Sequence, residues 1–352
     1  MVTATQSIRR VVVNTAEDIR VEQIETPTPA AGEVLVRSTV VGICGSDIHA
    51  AHGRHPFMSL PFWPGHEVIG VVEEAGADAP QELVGKRVVI EPNLACGECT
   101  PCMQGRYNIC ATLDVFGCQT PGGMADRFTI AADRVVPLPD DLSDEEAALI
   151  EPLATPVHAV RRAAALNGGS LEGKRVAVFG AGPIGLFVTI AALHAGAETV
   201  VVADLLESKR ARAERLGASG SFDSSAEDAA AQAEAAAGGK VDVVFDCVSR
   251  ESTVRLAIQI LEKGGSLMTV GVPDGPTVVD LQLIQDHEIA LLGNLMYVRE
   301  DVDLAIELLR TRRLPMDELV TSVFDIENAQ QAFDASNDPE QVKVLITVGD
   351  RA

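Results

Sequence analysis

The chain has 352 residues, enough for two domains of roughly 150 residues with separate cores. Apolar residues make up 47% and charged residues 22%, the balance of a folded globular protein rather than a disordered or fibrous one. Lys and Arg number 28 against 51 Asp and Glu, a formal charge of −23 without a basic cluster, which speaks against nucleic acid or an anionic membrane as a partner.

No run of about 18 uncharged apolar residues occurs, and the opening MVTATQSIRRVVVNTAEDIRVE lacks the layout of a secretion signal, so a cytoplasmic protein is expected. The first third reads as short β-branched strands at residues 10–14, 34–41, 68–74 and 87–91, split by Pro and Gly turns. From residue 174 strands alternate with helices: RVAVFG, a helix over 183–195, TVVVAD, a charged helix over 206–216, an alanine-rich helix over 226–237, KVDVVFDCV and GGSLMTVGV. This is the pattern of βαβ units and a parallel sheet. After residue 291 a mixed tail, with a helix over 302–310 and a strand over 342–348, is expected to return to the first domain.

Gly180-Ala181-Gly182-Pro183-Ile184-Gly185 follows a strand and opens a helix, the context a dinucleotide fingerprint needs. Gly180 permits the tight turn, Gly182 a close approach of backbone to pyrophosphate, and Gly185 tight helix–strand packing. Asp204 closes the second strand nineteen residues after Gly185, where a carboxylate accepts from the ribose hydroxyls and repels a 2′-phosphate. NAD is therefore expected over NADP, although Lys209 and Arg210 lie close by and could serve a phosphate if they are not simply a solvated helix face.

Cys96, Cys99, Cys102 and Cys110 fall at spacings of three, three and eight, suited to a closed, structural Cys₄ zinc site. An iron–sulfur cluster and disulfides are the alternatives. Three other segments, GICGSDIH, GHE and IEPL, offer a second set of donors, each unremarkable alone. His66 and Glu67 are adjacent, so both reach one ion only if the backbone turns there, which Gly65 allows.

Together, GICGSDIH, GHEVIGVVEEAG, the four-cysteine loop and GAGPIG with Asp204 resemble the zinc-dependent medium-chain alcohol dehydrogenases from Val11 to Val348, and the EPL segment is similar to the polyol (sorbitol-type) and threonine dehydrogenase branch. The resemblance implies an α/β protein. Residues 1–154 and 292–352 would form a GroES-like, mostly-β catalytic domain with a zinc lobe at about 92–112, and residues 155–291 a Rossmann, doubly wound NAD domain. It implies that Cys44 and His66 bind a catalytic zinc and that Glu67 and Glu151 complete or regulate the shell, directly or through water. Ser46 would take the substrate hydroxyl proton, its pKa lowered by zinc, and pass it to His49. The nicotinamide would lie over the zinc in an interdomain cleft walled by Val270, Gly271 and Val272 and by Leu292, Gly293 and Asn294, with side chains such as Phe57, Trp63 and Phe116 selecting the substrate.

His52 and His55 are expected at the pocket mouth, His158 within its helix, and Cys118 and Cys247 as ordinary thiols. A secondary alcohol of a polyol, sugar or diol is the first expected substrate and L-threonine the second, with a non-catalytic NAD- and zinc-binding homologue as the contrasting class. The resemblance also implies a homo-oligomer, a tetramer or dimer.

Overall fold

The computed structural model describes residues 7–273 and 275–349; the first six residues of the opening segment lie outside them. The chain divides into two compact units, one running to Pro152 and resuming at Leu309, the other Leu153–Leu308.

The first unit is built on β-branched strands. Ser7–Thr15 pairs with Asp18–Glu25 as a hairpin. A larger sheet runs in the order Val320–Asp325, Lys343–Thr347, Glu33–Ile43, Glu67–Ala75, Arg87–Ile90, Val135–Pro137, with Arg127–Ala131 also paired to Glu33–Ile43. Val34, Val36, Val41, Val68, Val72, Val88 and Ile90 are buried in one apolar cluster with Phe128 and Phe333, because alternate residues of neighbouring strands share a face. The register sets Gly42 opposite Glu67 and Ile43 opposite Val344. One end of three adjacent strands thus carries Cys44, His66 and Lys343.

The second unit is a six-stranded parallel sheet in the order Gly220–Phe222, Thr199–Ala203, Arg175–Phe179, Val241–Asp246, Leu261–Thr269, Ala290–Gly293. Its central strands are continuous apolar runs, Val176–Phe179 and Val200–Val202 being fully buried, as expected where helices cover both faces of a sheet. The direction of winding reverses between Arg175–Phe179 and Val241–Asp246, and a switch point of this kind opens a crevice at the carboxyl ends of the strands.

The return of the chain falls at Leu309 rather than at residue 292. Ala290–Gly293 pairs with Leu261–Thr269 as the sixth parallel strand, and the helix Arg299–Thr311 is tied back to the helix Ile150–Leu166 by a buried ion pair. Asp301 accepts from His158 Nδ1 at 2.8 Å, Arg161 Nε at 2.7 Å and the Val298 N–H at 2.9 Å. His158 therefore has a structural partner. Burial raises the Asp301 carboxyl, but His158 and Arg161 hold it below the ordinary value, so its contribution to stability is present above the usual carboxylate range and fades as pH falls through the lowered value. Asp301→Ala is expected to cost about 3 kcal/mol, lowering Tm by several degrees in calorimetry; an unchanged Tm would contradict the assignment.

Candidate active site

The four clustered cysteines converge. Their Sγ–Sγ separations are 3.4 Å for Cys99–Cys102, 3.5 Å for Cys96–Cys110, 3.9 Å for Cys99–Cys110 and 4.0 Å for Cys96–Cys102. Thiolates about 2.3 Å from one tetrahedral zinc stand about 3.8 Å apart, so the loop fits a single ion. An iron–sulfur cluster places iron and sulfide between the thiolates and needs more room. The sulfurs stand 3.4 Å or more apart, well beyond the roughly 2.05 Å of a disulfide bond, an arrangement for a shared ion rather than for paired cysteines. The N–H groups of Cys96 and Thr112 donate to Cys110 Sγ and hold that thiol down at about 6, towards the thiolate a metal requires. Cys99→Ser is expected to lose this zinc and to lower Tm before kcat changes, followed by calorimetry with metal analysis. Loss of the ion with the parent's Tm would refute a structural role.

The second group is Cys44, His66 and Glu67, whose donor atoms lie within 4.8 Å of one another. Strand Glu33–Ile43 delivers Cys44, and the turn at Gly65, with φ of +111°, leaves His66 just outside strand Glu67–Ala75. The turn brings two adjacent side chains to one side. Gly42 is required here: a Cβ at that position would overlap the Glu67 carboxylate.

Lys343 Nζ donates to both oxygens of Glu67 at 2.7 Å and to the Ile43 carbonyl at 3.2 Å, with Glu67 1% and Lys343 3% exposed. Burial pushes the ammonium down, yet Glu67 holds it above its ordinary value. Asp47, fully buried, accepts from the Cys44 N–H through Oδ2 at 3.0 Å and points Oδ1, without a hydrogen-bond partner, to within 3.7 Å of His66 Nδ1. Although burial pushes the imidazole down, Asp47 and the thiols of Cys118 and Cys44 hold it well above its usual value. A thiol, an imidazole backed by a carboxylate, and a second carboxylate in a buried, mostly anionic setting suit zinc. Glu151 is buried at the start of Ile150–Leu166, outside the three-donor group but close enough to act on Lys343. Ser46, half-buried, and His49, exposed, sit one turn apart on the helix Gly45–Ala51 directly after Cys44.

In the second unit the glycine-rich turn opens the helix Pro183–His194. Gly180 has φ of +89°, and a Cβ on Gly185 would overlap the Gly180 carbonyl oxygen. At Gly182 a Cβ would meet nothing within 4 Å, leaving the backbone open at a helix N-terminus, the setting a pyrophosphate needs. Asp204 accepts from the Ala181 N–H at 2.8 Å and the Leu206 N–H at 3.0 Å, fixing a carboxylate beside the turn. The Arg210 guanidinium donates to the carbonyls of Asp204 and Leu205. Val270 and Gly271 donate to the Asp246 carbonyl and Asn294 N–H to Thr269, so the segments at 270–272 and 292–294 end neighbouring strands of the same sheet.

Sequence reasoning passed over Lys343 and Asp47. Asp47 had a signal, the cap spacing from Cys44, and Lys343 stood as a lone cation in an apolar strand. Cys118, expected to be an ordinary thiol, has its Sγ 3.8 Å from His66 Nδ1.

Residues 30–140 match the alcohol dehydrogenase GroES-like domain and residues 183–311 the zinc-binding dehydrogenase domain. Sorbitol dehydrogenase of Gallus gallus is 35% identical, over 97% of each chain. Among solved structures, an alcohol dehydrogenase of Escherichia coli CFT073 with NADH superposes with a TM-score of 0.89 at 26% identity, covering 97% of this chain and 99% of that one. Galactitol-1-phosphate dehydrogenase of Escherichia coli superposes with a TM-score of 0.88 at 28% identity, covering 96% and 99%. The chain belongs to the zinc-binding, medium-chain alcohol dehydrogenase family, and within it stands with the sorbitol dehydrogenases.

Proposed function

We propose that this enzyme oxidises a secondary hydroxyl of a polyol, sugar or diol to the ketone, with NAD as hydride acceptor. The observation that carries the reading is the buried convergence of Cys44, His66 and Glu67, with Ser46 immediately beyond. Zinc held by these donors, with Glu151 completing or regulating the shell, supplies a Lewis acid that lowers a hydroxyl pKa. Ser46 Oγ would accept the substrate hydroxyl proton while releasing its own, and His49, exposed one turn later, would take up the released proton and pass it to solvent. Asp47 sets a carboxylate charge 3.7 Å from His66 Nδ1, and Lys343 fixes Glu67 through two hydrogen bonds.

Gly180, Gly182, Pro183, Ile184, Gly185 and Asp204 hold the adenosine and pyrophosphate, with Val270, Gly271, Val272, Leu292 and Asn294 along the nicotinamide. Arg210 stays on the backbone of the Asp204 turn, which supports NAD over NADP. Among the described residues no helix is long and apolar enough to cross a membrane.

A homo-oligomer, a tetramer or dimer, is supported by the edge strand Ala290–Gly293. Its Leu291 is exposed, and an open edge invites pairing with a second copy. A monomer mass by light scattering would overturn this part.

The test is initial-rate measurement on zinc-loaded protein with NAD or NADP and sorbitol, xylitol, 2,3-butanediol or L-threonine, following reduced nicotinamide by absorbance. Turnover of a polyol or diol with NAD is expected. A higher kcat/KM for L-threonine would move the substrate to the amino alcohol, and silence across the panel with zinc bound would favour a binding protein.

A further inference from the structure

Lys343 stands among the metal donors as a cation of the chain itself. It opens the strand Lys343–Thr347, whose next residue, Val344, pairs opposite Ile43, while Gly42 pairs opposite Glu67. Its ammonium has three protons, and all three are engaged: two by the Glu67 oxygens at 2.7 Å each and one by the Ile43 carbonyl at 3.2 Å. None is left for a substrate, so the lysine acts as a counter-ion and not as a proton carrier. The Glu67 carboxylate is also packed against Gly42, where a Cβ would overlap Oε2. Burial pushes the ammonium down, but Glu67, Cys44 and Glu151 hold it above its ordinary value. The positive charge thus lies within electrostatic reach of three of the groups assigned to zinc.

The two donor sets differ accordingly. The loop offers four sulfurs, whereas the second set offers one sulfur, one imidazole and one carboxylate, and the ammonium cancels one of its two negative charges. A dication entering the second set meets a fixed positive charge that solvent screens poorly, Glu67 being 1% and Lys343 3% exposed. The same ammonium keeps the carboxylate paired when an ion departs, so release strands no buried charge.

We propose that Lys343 competes with zinc for Glu67, so that the ion at Cys44, His66 and Glu67 is the exchangeable one of the two and activity follows the supply of zinc while the loop ion stays in place. This rests on the zinc dehydrogenase reading above.

The experiment titrates zinc-loaded wild type, Cys44→Ala, Lys343→Met and Lys343→Gln with a chromophoric chelator, counting zinc per chain by mass spectrometry and measuring activity at each step. In the wild type one ion is expected to leave at a chelator concentration at least about tenfold below that of the other, together with the activity, and Cys44→Ala should lack that step. Lys343→Met should hold the exchangeable ion about tenfold more tightly, because its repulsion by the ammonium is gone. Lys343→Gln, whose amide still donates to Glu67 without the charge, should do the same and decides the matter where Lys343→Met does not fold. Zinc held no more tightly in Lys343→Gln is the result of a lysine that only positions Glu67, and it overturns the proposal. Loss of both wild-type ions at one chelator concentration overturns it as well. If the loaded wild type holds the loop ion alone, a second ion gained in Lys343→Gln shows the lysine winning the competition, and no second ion in either protein refutes the zinc site itself.

Discussion

Cys44→Ala is expected to lower kcat/KM by about 10³ to 10⁴ while the affinity for NAD stays within about twofold. Removing the thiol takes away the softest of three donors whose atoms lie within 4.8 Å of one another. The transition-state stabilisation a metal provides is several kcal/mol, and each 1.36 kcal/mol is a factor of ten in rate. The fingerprint at Gly180–Gly185 lies in the other compact unit, with its turn held by Asp204 and the strand ends of the parallel sheet. Nothing in that unit depends on the thiol. Steady-state rates paired with NAD titration by fluorescence read both halves. A parallel loss of NAD binding, or activity within tenfold of the wild type, would contradict the assignment of Cys44.

Lys343→Met should produce the largest loss of stability among single substitutions at the site. Glu67 receives both of its side-chain hydrogen bonds from one ammonium at 2.7 Å, and the two groups are 1% and 3% exposed. Methionine fills similar volume but strands a carboxylate in the interior. Breaking a buried pair from one side costs about 3–5 kcal/mol, roughly 10 °C in Tm for a unit of this size. Added zinc should recover part of that loss, because a cation bound by Cys44, His66 and Glu67 replaces the missing charge. Calorimetry with and without zinc measures it. An unchanged Tm in zinc-free Lys343→Met would show that Glu67 does not depend on the lysine.

What could be read from the sequence follows the distance over which each feature is built. The four-cysteine loop is assembled within fifteen positions, so spacing alone leads to a site whose sulfurs stand 3.4 to 4.0 Å apart. The glycine-rich turn is equally local, with Gly180 at a φ of +89° and no room for a Cβ at Gly185. The parallel strands announce themselves as continuous apolar runs, and the helix over 183–195 is observed as Pro183–His194.

The donor group at Cys44 is different. GICGSDIH and GHE acquire meaning only when Gly42 pairs opposite Glu67, a register that local patterning does not specify. Lys343 lies 276 residues from Glu67, and no local rule links them. Val320–Asp325 escaped notice because every residue but the last is half-buried, without the alternation that marks a strand facing one core. The return point of the chain was placed too early for a related reason. Leu291 and Gly293 are exposed on an edge strand, so the sixth strand reads like a tail, and the bonds of Asp301 to His158 and Arg161, 140 or more residues away in sequence, tie the following helix back.

One chain is expected to hold two chemically distinct zinc ions, one in the Cys96–Cys110 loop and one at Cys44, His66 and Glu67. Zinc counted per chain by mass spectrometry of the purified wild type, Cys44→Ala and Cys99→Ser proteins tests it most directly. Two ions in the wild type, one in each variant, and activity lost with the Cys44 ion are the expected results. A single ion in the wild type, or Cys44→Ala retaining both, would contradict it.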